Sequence, residues 1–232
     1  MKVLSFFFFV GFLGLQSLVF AQNETKNFEV KDFTSVDVRV AASVFLSKGD
    51  SFKCRVEGRE RHVNRIDISV KNNELIVRAL KEDFWDFNER EVNIYIEMPN
   101  LEGLDFSGAG SITSKSDWSG DKIKVALSGA GNIELSNIDY KNLKADMSGA
   151  GNMRLSGKAT EIDMDMSGAG NIDAVHLAAE KGVCDVSGVG RISCDVRDDL
   201  RADVSGIGGV RYKNKPANLS KHVSGIGKVK AY

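Results

Sequence analysis

Residues 107–110 read Ser-Gly-Ala-Gly, and the pattern Ser-Gly-x-Gly returns six more times toward the C-terminus. The motifs are 18 to 21 residues apart and begin at Ser107, Ser128, Ser148, Ser167, Ser187, Ser205 and Ser224. A period of about 20 residues is typical of stacked repeat architectures, in which each unit buries its apolar face against its neighbours. We therefore expect the function to reside in a long repeated surface rather than in a single pocket.

Apolar residues alternate with polar ones on both sides of each motif. The position before the serine holds Phe106, Leu127, Met147, Met166, Val186, Val204 and Val223. The fifth position after the serine holds Ile112, Ile133, Met153, Ile172, Ile192, Val210 and Val229. A period of two indicates strands with one buried face. Each repeat is thus predicted to be a strand, a glycine corner and a second strand.

Two glycines in each motif supply the corner. They are Gly108, Gly110, Gly129, Gly131, Gly149, Gly151, Gly168, Gly170, Gly188, Gly190, Gly206, Gly208, Gly225 and Gly227. Glycine adopts a positive φ at little cost, and we expect tight corners between strands to require it. A series of hairpins is one interpretation, but the even spacing favours a parallel β-solenoid. We predict rungs of 19–20 residues, stacked about 4.8 Å apart.

The chain divides into three predicted segments. Residues 1–21 carry Lys2 and then an apolar run, and Val19 and Ala21 suit cleavage before Gln22, which predicts a signal peptide. An uncleaved anchor is the alternative. Residues 22–100 have alternating strand patterns without the corner motif, which predicts a cap with irregular rungs, because terminal repeats are commonly atypical. Residues 101–232 form the repeats and continue directly from the cap.

The composition and motifs give little support to catalysis or cofactor binding. A formal net charge of −1 does not suggest a nucleic-acid partner. A nucleotide loop needs one glycine motif that opens a helix, whereas seven copies here precede strand patterns. The three histidines, His62, His176 and His222, are scattered. We therefore predict no catalytic residues, no cofactor and no metal.

A column of aspartates is predicted on the outward face, two residues before the serine of each motif. Asp146, Asp165, Asp185 and Asp203 occupy this position in consecutive repeats. Stacked like charges repel, so basic neighbours, hydrogen bonds to the corner N–H groups or a bound cation must offset them. Ca²⁺ takes six to eight oxygen ligands, which a straight column does not gather. We favour aspartates held by the turns and by the basic neighbours Lys124, Lys144 and Arg201, which share the outward face.

Two further features leave alternatives open. Cys184 and Cys194 fall on inward positions on opposite sides of one corner, so they are either a disulfide or two buried thiols. Cys54 is expected to be a free buried thiol. Residues 81–90, KEDFWDFNER, interrupt the strand patterns with Phe84, Trp85 and Phe87. This segment is either a binding or assembly loop or a lid over the N-terminal end of the core.

The motif Ser-Gly-Ala-Gly-Asn-Ile at residues 128–133 and 167–172 resembles the bacterial family of putative auto-transporter adhesins with a head GIN domain. Residues 27–58, which end in Cys-Arg-Val-Glu-Gly, and residues 98–101 also resemble it. The resemblance covers nearly the whole chain after the leader. It implies an exported envelope protein of β-solenoid type, typical of Bacteroidota, and brings no catalytic residues. Classical autotransporters have a C-terminal membrane barrel, whereas this sequence reaches Tyr232 just after the last repeat, so we do not expect the chain to export itself across an outer membrane.

These observations predict a non-enzymatic protein of the periplasm, the outer-membrane surface or the extracellular space. Its expected role is binding or adhesion, with a protein or a glycan of the envelope as partner. No integral membrane segment is expected once the leader is removed. A polysaccharide-acting β-helix enzyme and a structural or stress-related envelope factor are the rival interpretations. An enzyme would gather unlike catalytic groups in a groove, whereas the outward residues here repeat themselves.

Overall fold

A computed structural model describes residues 23–80 and 92–232 of the chain. Of the described residues, 74% lie in strands and 2% in a helix. The strands wind into a parallel β-solenoid of about six turns, with rungs of about 20 residues. The predicted fold class is confirmed.

The N-terminal part contains seven strands and one short helix. The strands are β1 (Asn23–Phe28), β2 (Ser35–Val38), β3 (Ala42–Lys48), β4 (Lys53–Arg59), β5 (Ile66–Lys71), β6 (Glu74–Ala79) and β7 (Asn93–Met98). The helix α1 (Glu60–Val63) follows β4 and buries His62 and Val63.

The repeats contribute ten strands, several of which run through two arms of the coil. They are β8 (Gly103–Phe106), β9 (Ala109–Ser114), β10 (Ser119–Leu127), β11 (Ala130–Met147), β12 (Ala150–Met166), β13 (Ala169–Val186), β14 (Val189–Val204), β15 (Ile207–Tyr212), β16 (Asn218–Val223) and β17 (Ile226–Ala231).

Equivalent residues of successive repeats lie opposite one another. Strands β10 to β14 pair in parallel in sequence order. Within the β11–β12 pair, Ala130, Gly131 and Asn132 lie opposite the Ala-Gly-Asn at residues 150–152. Within that pair the register slips only between Leu135 and Ile138. These residues lie in the bend midway between two glycine corners, which we call the far bend. Each glycine corner is therefore stacked directly on the corner of the preceding rung.

Backbone hydrogen bonds join each corner to the rung before it. The N–H groups of Ser128 and Gly129 both donate to the carbonyl of Phe106, at 3.0 and 3.1 Å. The N–H of Ala130 donates to the carbonyl of Gly108 at 3.0 Å. The next corner repeats the pattern on Leu127 and Gly129. Because these bonds run between rungs rather than across a turn, the hairpin interpretation of the repeats is wrong.

The two glycines of a corner are required for different reasons. A Cβ added to Gly149 would lie 2.0 Å from the carbonyl oxygen of Gly129, far inside van der Waals contact. Gly151 has a φ of +148°, and its Cβ would lie 1.7 Å from the carbonyl oxygen of Gly131. The expectation that a positive φ demands both glycines is thus wrong for the first one. Close stacking of backbones excludes a side chain there.

Apolar columns along the coil axis form the core. The residues before the corner serines and those at the fifth position after them are buried from Phe106 and Ile112 to Val204 and Val210. One continuous cluster joins these columns to the N-terminal part, from Phe33 to Val229. At the far bend the Trp118 indole N–H donates to Ser114 Oγ, whose hydroxyl donates to the carbonyl of Leu46, both at 2.8 Å. The buried polar atoms of this bend are thus satisfied.

The N-terminal rungs do not stack in sequence order. Strand β2 pairs in parallel with β6 on one side and with β8 on the other. Strand β3 likewise lies between β7 and β9. The rung made of β2 and β3 is therefore inserted between a later segment of the chain and the first repeat. Its corner, near Val40, is the surface on which Gly108 stacks.

Antiparallel strands close this end of the coil. Strand β4 pairs antiparallel with both β7 and β1, and β5 pairs antiparallel with β6. The change of direction ends the parallel ladder and covers its edge, which agrees with the predicted irregular rungs and cap. Residues 1–21, the predicted signal peptide, lie outside the described residues. The division at residue 100 stays a prediction, and the core runs across it.

We predict that Gly149→Ala lowers the melting temperature by roughly 6–12 °C. The added methyl meets a backbone oxygen that cannot move without displacing a rung, so about 3 kcal/mol is lost, the upper end of ordinary overpacking. Gly120→Ala is the matched control, because its Cβ would meet only the Tyr140 ring edge at 3.0 Å. Thermal denaturation followed by circular dichroism measures both. Equal melting temperatures for the two variants would contradict the stacking account.

Candidate functional surface

The coil presents two outward faces that meet at the glycine corners. One face precedes the corners and carries the aspartate column, and the other follows them. The corner serines are exposed in every repeat. Because the rungs are in register, each outward position becomes a straight column of side chains about 4.8 Å apart.

The predicted aspartate column exists. Asp146, Asp165, Asp185 and Asp203 pair in consecutive rungs, and Asp37 extends the column below Asp105. Lys144 Nζ lies 3.5 Å from a carboxylate oxygen of Asp146, and Arg201 Nε lies 2.8 Å from one of Asp203. Lys124 Nζ approaches Asp146 to 3.6 Å. The three basic residues singled out from the sequence thus lie beside the column.

Two members of the column have raised pKa values. Burial is the main cause of the raised pKa of Asp185, and the neighbouring charge of Asp203 adds to it. One carboxylate oxygen of Asp185 is buried and has no hydrogen-bond partner, although the residue as a whole is half-buried. Burial and the charge of Asp37 likewise raise the pKa of Asp105. Repulsion along the column is therefore only partly compensated.

An open groove of about 740 Å³ runs along the same face, across strands β10 to β14. Buried aliphatic side chains and Gly182 form its floor. Its rims are two columns of mixed charge: Lys122, Asn142, Glu161, Lys181 and Asp199 on one side, and Lys124, Lys144, Asp163, Val183 and Arg201 on the other. Five rungs span roughly 19 Å along the coil axis. The groove thus offers regularly spaced donors and acceptors beside a shallow apolar floor.

The face after the corners is polar in the middle of the coil. The amide of Asn152 donates to Asn132, and that of Asn171 donates to Asn152, both at 3.1 Å. Two positions further along the strands, Arg154 lies 3.7 Å from Glu134 and 3.9 Å from Asp173. Here the columns are internally paired, by an amide ladder and by alternating charges.

An exposed aromatic stack lies at the N-terminal end of this face. The rings of Phe45 and Tyr95 stack with centroids 5.1 Å apart, and the Arg55 guanidinium lies 4.4 Å from the Tyr95 centroid. Phe45 is 41% exposed. The sequence alone does not predict this stack, although the alternation of residues 92–98 places Tyr95 outward. The pairing of β3 with β7 is what brings the two rings together.

The remaining sequence candidates stay separate from these surfaces. Cys184 and Cys194 are buried free thiols, and a hydrogen bond with Cys194, together with burial, raises the pKa of Cys184. Cys54 is also free, and burial raises its pKa to about 12. The predicted loop with Phe84, Trp85 and Phe87 lies outside the described residues.

Neither a metal site nor a membrane helix emerges from residues 23–80 and 92–232. Within those ranges, no group of three or more His, Cys, Asp or Glu side chains is arranged to hold a metal ion. No helix in those ranges is long and apolar enough to span a bilayer.

We predict that Asp185→Asn raises the melting temperature at pH 7. A carboxyl whose pKa is raised by folding destabilises the folded state above that pKa, and the cost disappears as pH falls below about 4. The gain at pH 7 should be below about 1 kcal/mol, because the residue is partly solvated, and it should shrink toward pH 4. Asp121→Asn is the control, since the exposed Asp121 pairs with Lys141 at 2.7 Å and should yield no gain.

The same denaturation series tests the calcium alternative. With no converging set of oxygens, calcium and EDTA should leave both proteins unchanged. A calcium-dependent rise in melting temperature that Asp185→Asn abolishes would contradict the charge account.

Solved structures share this fold. A putative adhesin from Bacteroides fragilis is 26% identical, covers 91% of this chain and 97% of its own, and superposes with a TM-score of 0.87. A putative lipid binding protein from Parabacteroides distasonis is 20% identical, covering 90% of this chain and 96% of its own with a TM-score of 0.67. A putative adhesin from Parabacteroides merdae is 19% identical, and the match covers 91% of this chain and 96% of that protein with a TM-score of 0.65. The two Parabacteroides structures show the shared fold alone.

The sequence comparison gives the family. No curated protein matches the chain significantly. Residues 32–216, which include the β2–β3 rung and six of the seven glycine corners, match the family described as "Putative auto-transporter adhesin, head GIN domain". The resemblance found in the repeat motifs is thereby confirmed, and the chain belongs to this family.

Proposed function

We propose that this chain is an exported, non-catalytic binding protein whose groove before the corners holds an extended glycan of the cell envelope. The observation that carries the proposal is an open groove that crosses five rungs and has polar and charged side chains spaced along both rims. Catalysis requires unlike groups converging on one reacting atom, with an acid, a base or a nucleophile in mutual reach. The groove rims do carry unlike groups, so the expectation that the outward residues repeat themselves is wrong there. These groups are spaced one per rung in each column, and their close contacts are ion pairs such as Lys144 with Asp163 at 3.4 Å.

The groove suits a polymer better than a compact ligand. It is open and spans about five rungs. A side-chain donor or acceptor occurs roughly every 4.8 Å along one rim, and along the other rim at every rung except that of Val183. A β-linked glycan advances by a similar distance for each sugar. Lysines and carboxylates on the rims can hydrogen-bond hydroxyl groups, and the aliphatic floor can contact the apolar faces of sugar rings. The family description as an adhesin agrees with such a role.

Export is part of the proposal and rests on the leader pattern at residues 1–21. The chain purified from its native host should begin at Gln22 or within a few residues of it, as read by N-terminal sequencing. Recovery of an intact Met1 would contradict export by cleavage.

The binding experiment uses a glycan array followed by titration calorimetry on the best glycan. The double variant Lys122→Ala/Lys181→Ala should bind about tenfold more weakly, because two hydrogen bonds of about 0.7 kcal/mol each are lost. The matched control is Lys71→Ala/Lys158→Ala, which removes two exposed lysines outside the groove.

Three results would count against the proposal. Equal glycan affinity of the groove variant and the control would show that the groove is not the binding site. Cleavage of the bound glycan would favour the polysaccharide-acting enzyme. If the chain binds an envelope protein and binds no glycan, the ligand is a protein and the glycan proposal is wrong.

A further inference from the structure

The last three rungs differ from the rest of the coil in three adjacent columns. At the third position of the corner motif, exposed alanines at 130, 150 and 169 give way to Val189, Ile207 and Ile226. The exposed fractions of these three side chains are 56%, 55% and 80%. The corner edge therefore changes from small side chains to a row of solvent-exposed aliphatic ones.

The two columns beside this row change at the same rungs. The asparagine ladder continues as Arg191, Gly209 and Lys228. The column of Glu134, Arg154 and Asp173 continues as Ser193, Arg211 and Lys230. Alternating charges thus give way to cations alone. Residues 204–232 contain six lysines and arginines and no aspartate or glutamate.

The four cations are not neutralised within the described part of the chain. No carboxylate of residues 23–80 or 92–232 forms an ion pair with Arg191, Arg211, Lys228 or Lys230, in contrast to Arg154 in the preceding rungs. Arg211 instead lies 6.0 Å from the centroid of the exposed Tyr232 ring. The cations line an open groove of about 580 Å³, in which the Ile226 side chain lies among them.

We infer that this terminal patch, the aliphatic row Val189, Ile207 and Ile226 with the cations Arg191, Arg211, Lys228 and Lys230, docks on an anionic lipid surface. Cations attract lipid phosphates, and the exposed aliphatic side chains in the row beside them can enter the boundary of the acyl chains. A soluble polyanion would use the cations but leave the aliphatic row in water. A second copy presenting the same patch would place cations against cations.

Docking at this patch leaves the groove before the corners free. The aspartate column and the groove rims lie on the other outward face, whereas the terminal patch occupies the corner edge and the face after it. The coil can therefore lie against a membrane through its last rungs while the groove contacts another ligand. The inference does not depend on the proposed glycan ligand, and either can fail alone.

The test is co-sedimentation of the chain purified from its host with vesicles of phosphatidylcholine, with and without phosphatidylglycerol. Binding is expected to the anionic vesicles, to be weak on phosphatidylcholine alone, and to fall as salt rises. Lys228→Gln/Lys230→Gln should weaken the partition coefficient about 30-fold, since each cation near the surface contributes about 1 kcal/mol. Ile226→Asn should weaken it several-fold at unchanged charge.

The matched control is Lys71→Gln/Lys158→Gln, which removes the same charge from exposed positions outside the patch. It should bind like the unchanged chain, and all variants should keep the same melting temperature because every altered side chain is exposed. Equal binding to neutral and anionic vesicles, or equal loss in the patch and control variants, would overturn the inference. If the chain binds polyphosphate more tightly than vesicles, and Ile226→Asn leaves that binding unchanged, the patch binds a soluble polyanion and the inference is wrong.

Discussion

The architecture depends on how closely two glycine corners approach each other. In each repeat from Gly129 to Gly206, the carbonyl oxygen of the preceding rung lies about 2.0 Å from where a Cβ would stand. Two N–H groups of the same corner donate to a single carbonyl below it. A side chain at this point would separate the rungs and break the parallel ladders on both arms. The glycines therefore set the rung spacing that every other column inherits.

Stacking of the corners in register places equivalent positions of successive repeats opposite one another. Inward positions become the apolar columns of one continuous core. Outward positions become ladders whose character depends on which residue the repeat carries. Where a ladder holds neighbouring aspartates, burial and the charge of the adjacent carboxylate raise the pKa values of Asp185 and Asp105. Where it is asparagine, the amides bond to one another. Where it turns to lysine and arginine without acids, an unneutralised patch results.

The sequence predicts the repeats well, because each motif marks the same position in its rung and so gives the register of the strands. The corners, the apolar columns beside Phe106 and Ile112, and the aspartate column with its basic neighbours all follow from one alignment of seven motifs. The order of the N-terminal rungs does not follow, since no motif shows that β2 and β3 insert between β6–β7 and β8–β9. The Phe45–Tyr95 stack depends on that insertion, so the sequence does not predict the stack either. The sequence does contain a signal for the terminal patch, because the motif changes from Ser-Gly-Ala-Gly-Asn to variants with Val or Ile and Arg or Lys.

The corners are hydrogen-bonded parts of the ladder and not loops. Amide hydrogen exchange measured by mass spectrometry tests it directly, on the peptides that carry residues 128–131, 148–151, 167–170 and 187–190. If the N–H groups of these corners donate to the rung below, they should exchange as slowly as the flanking strands, with the opening of a whole rung required for exchange. Rapid exchange at the corners, with protection confined to the strands between them, would contradict the account.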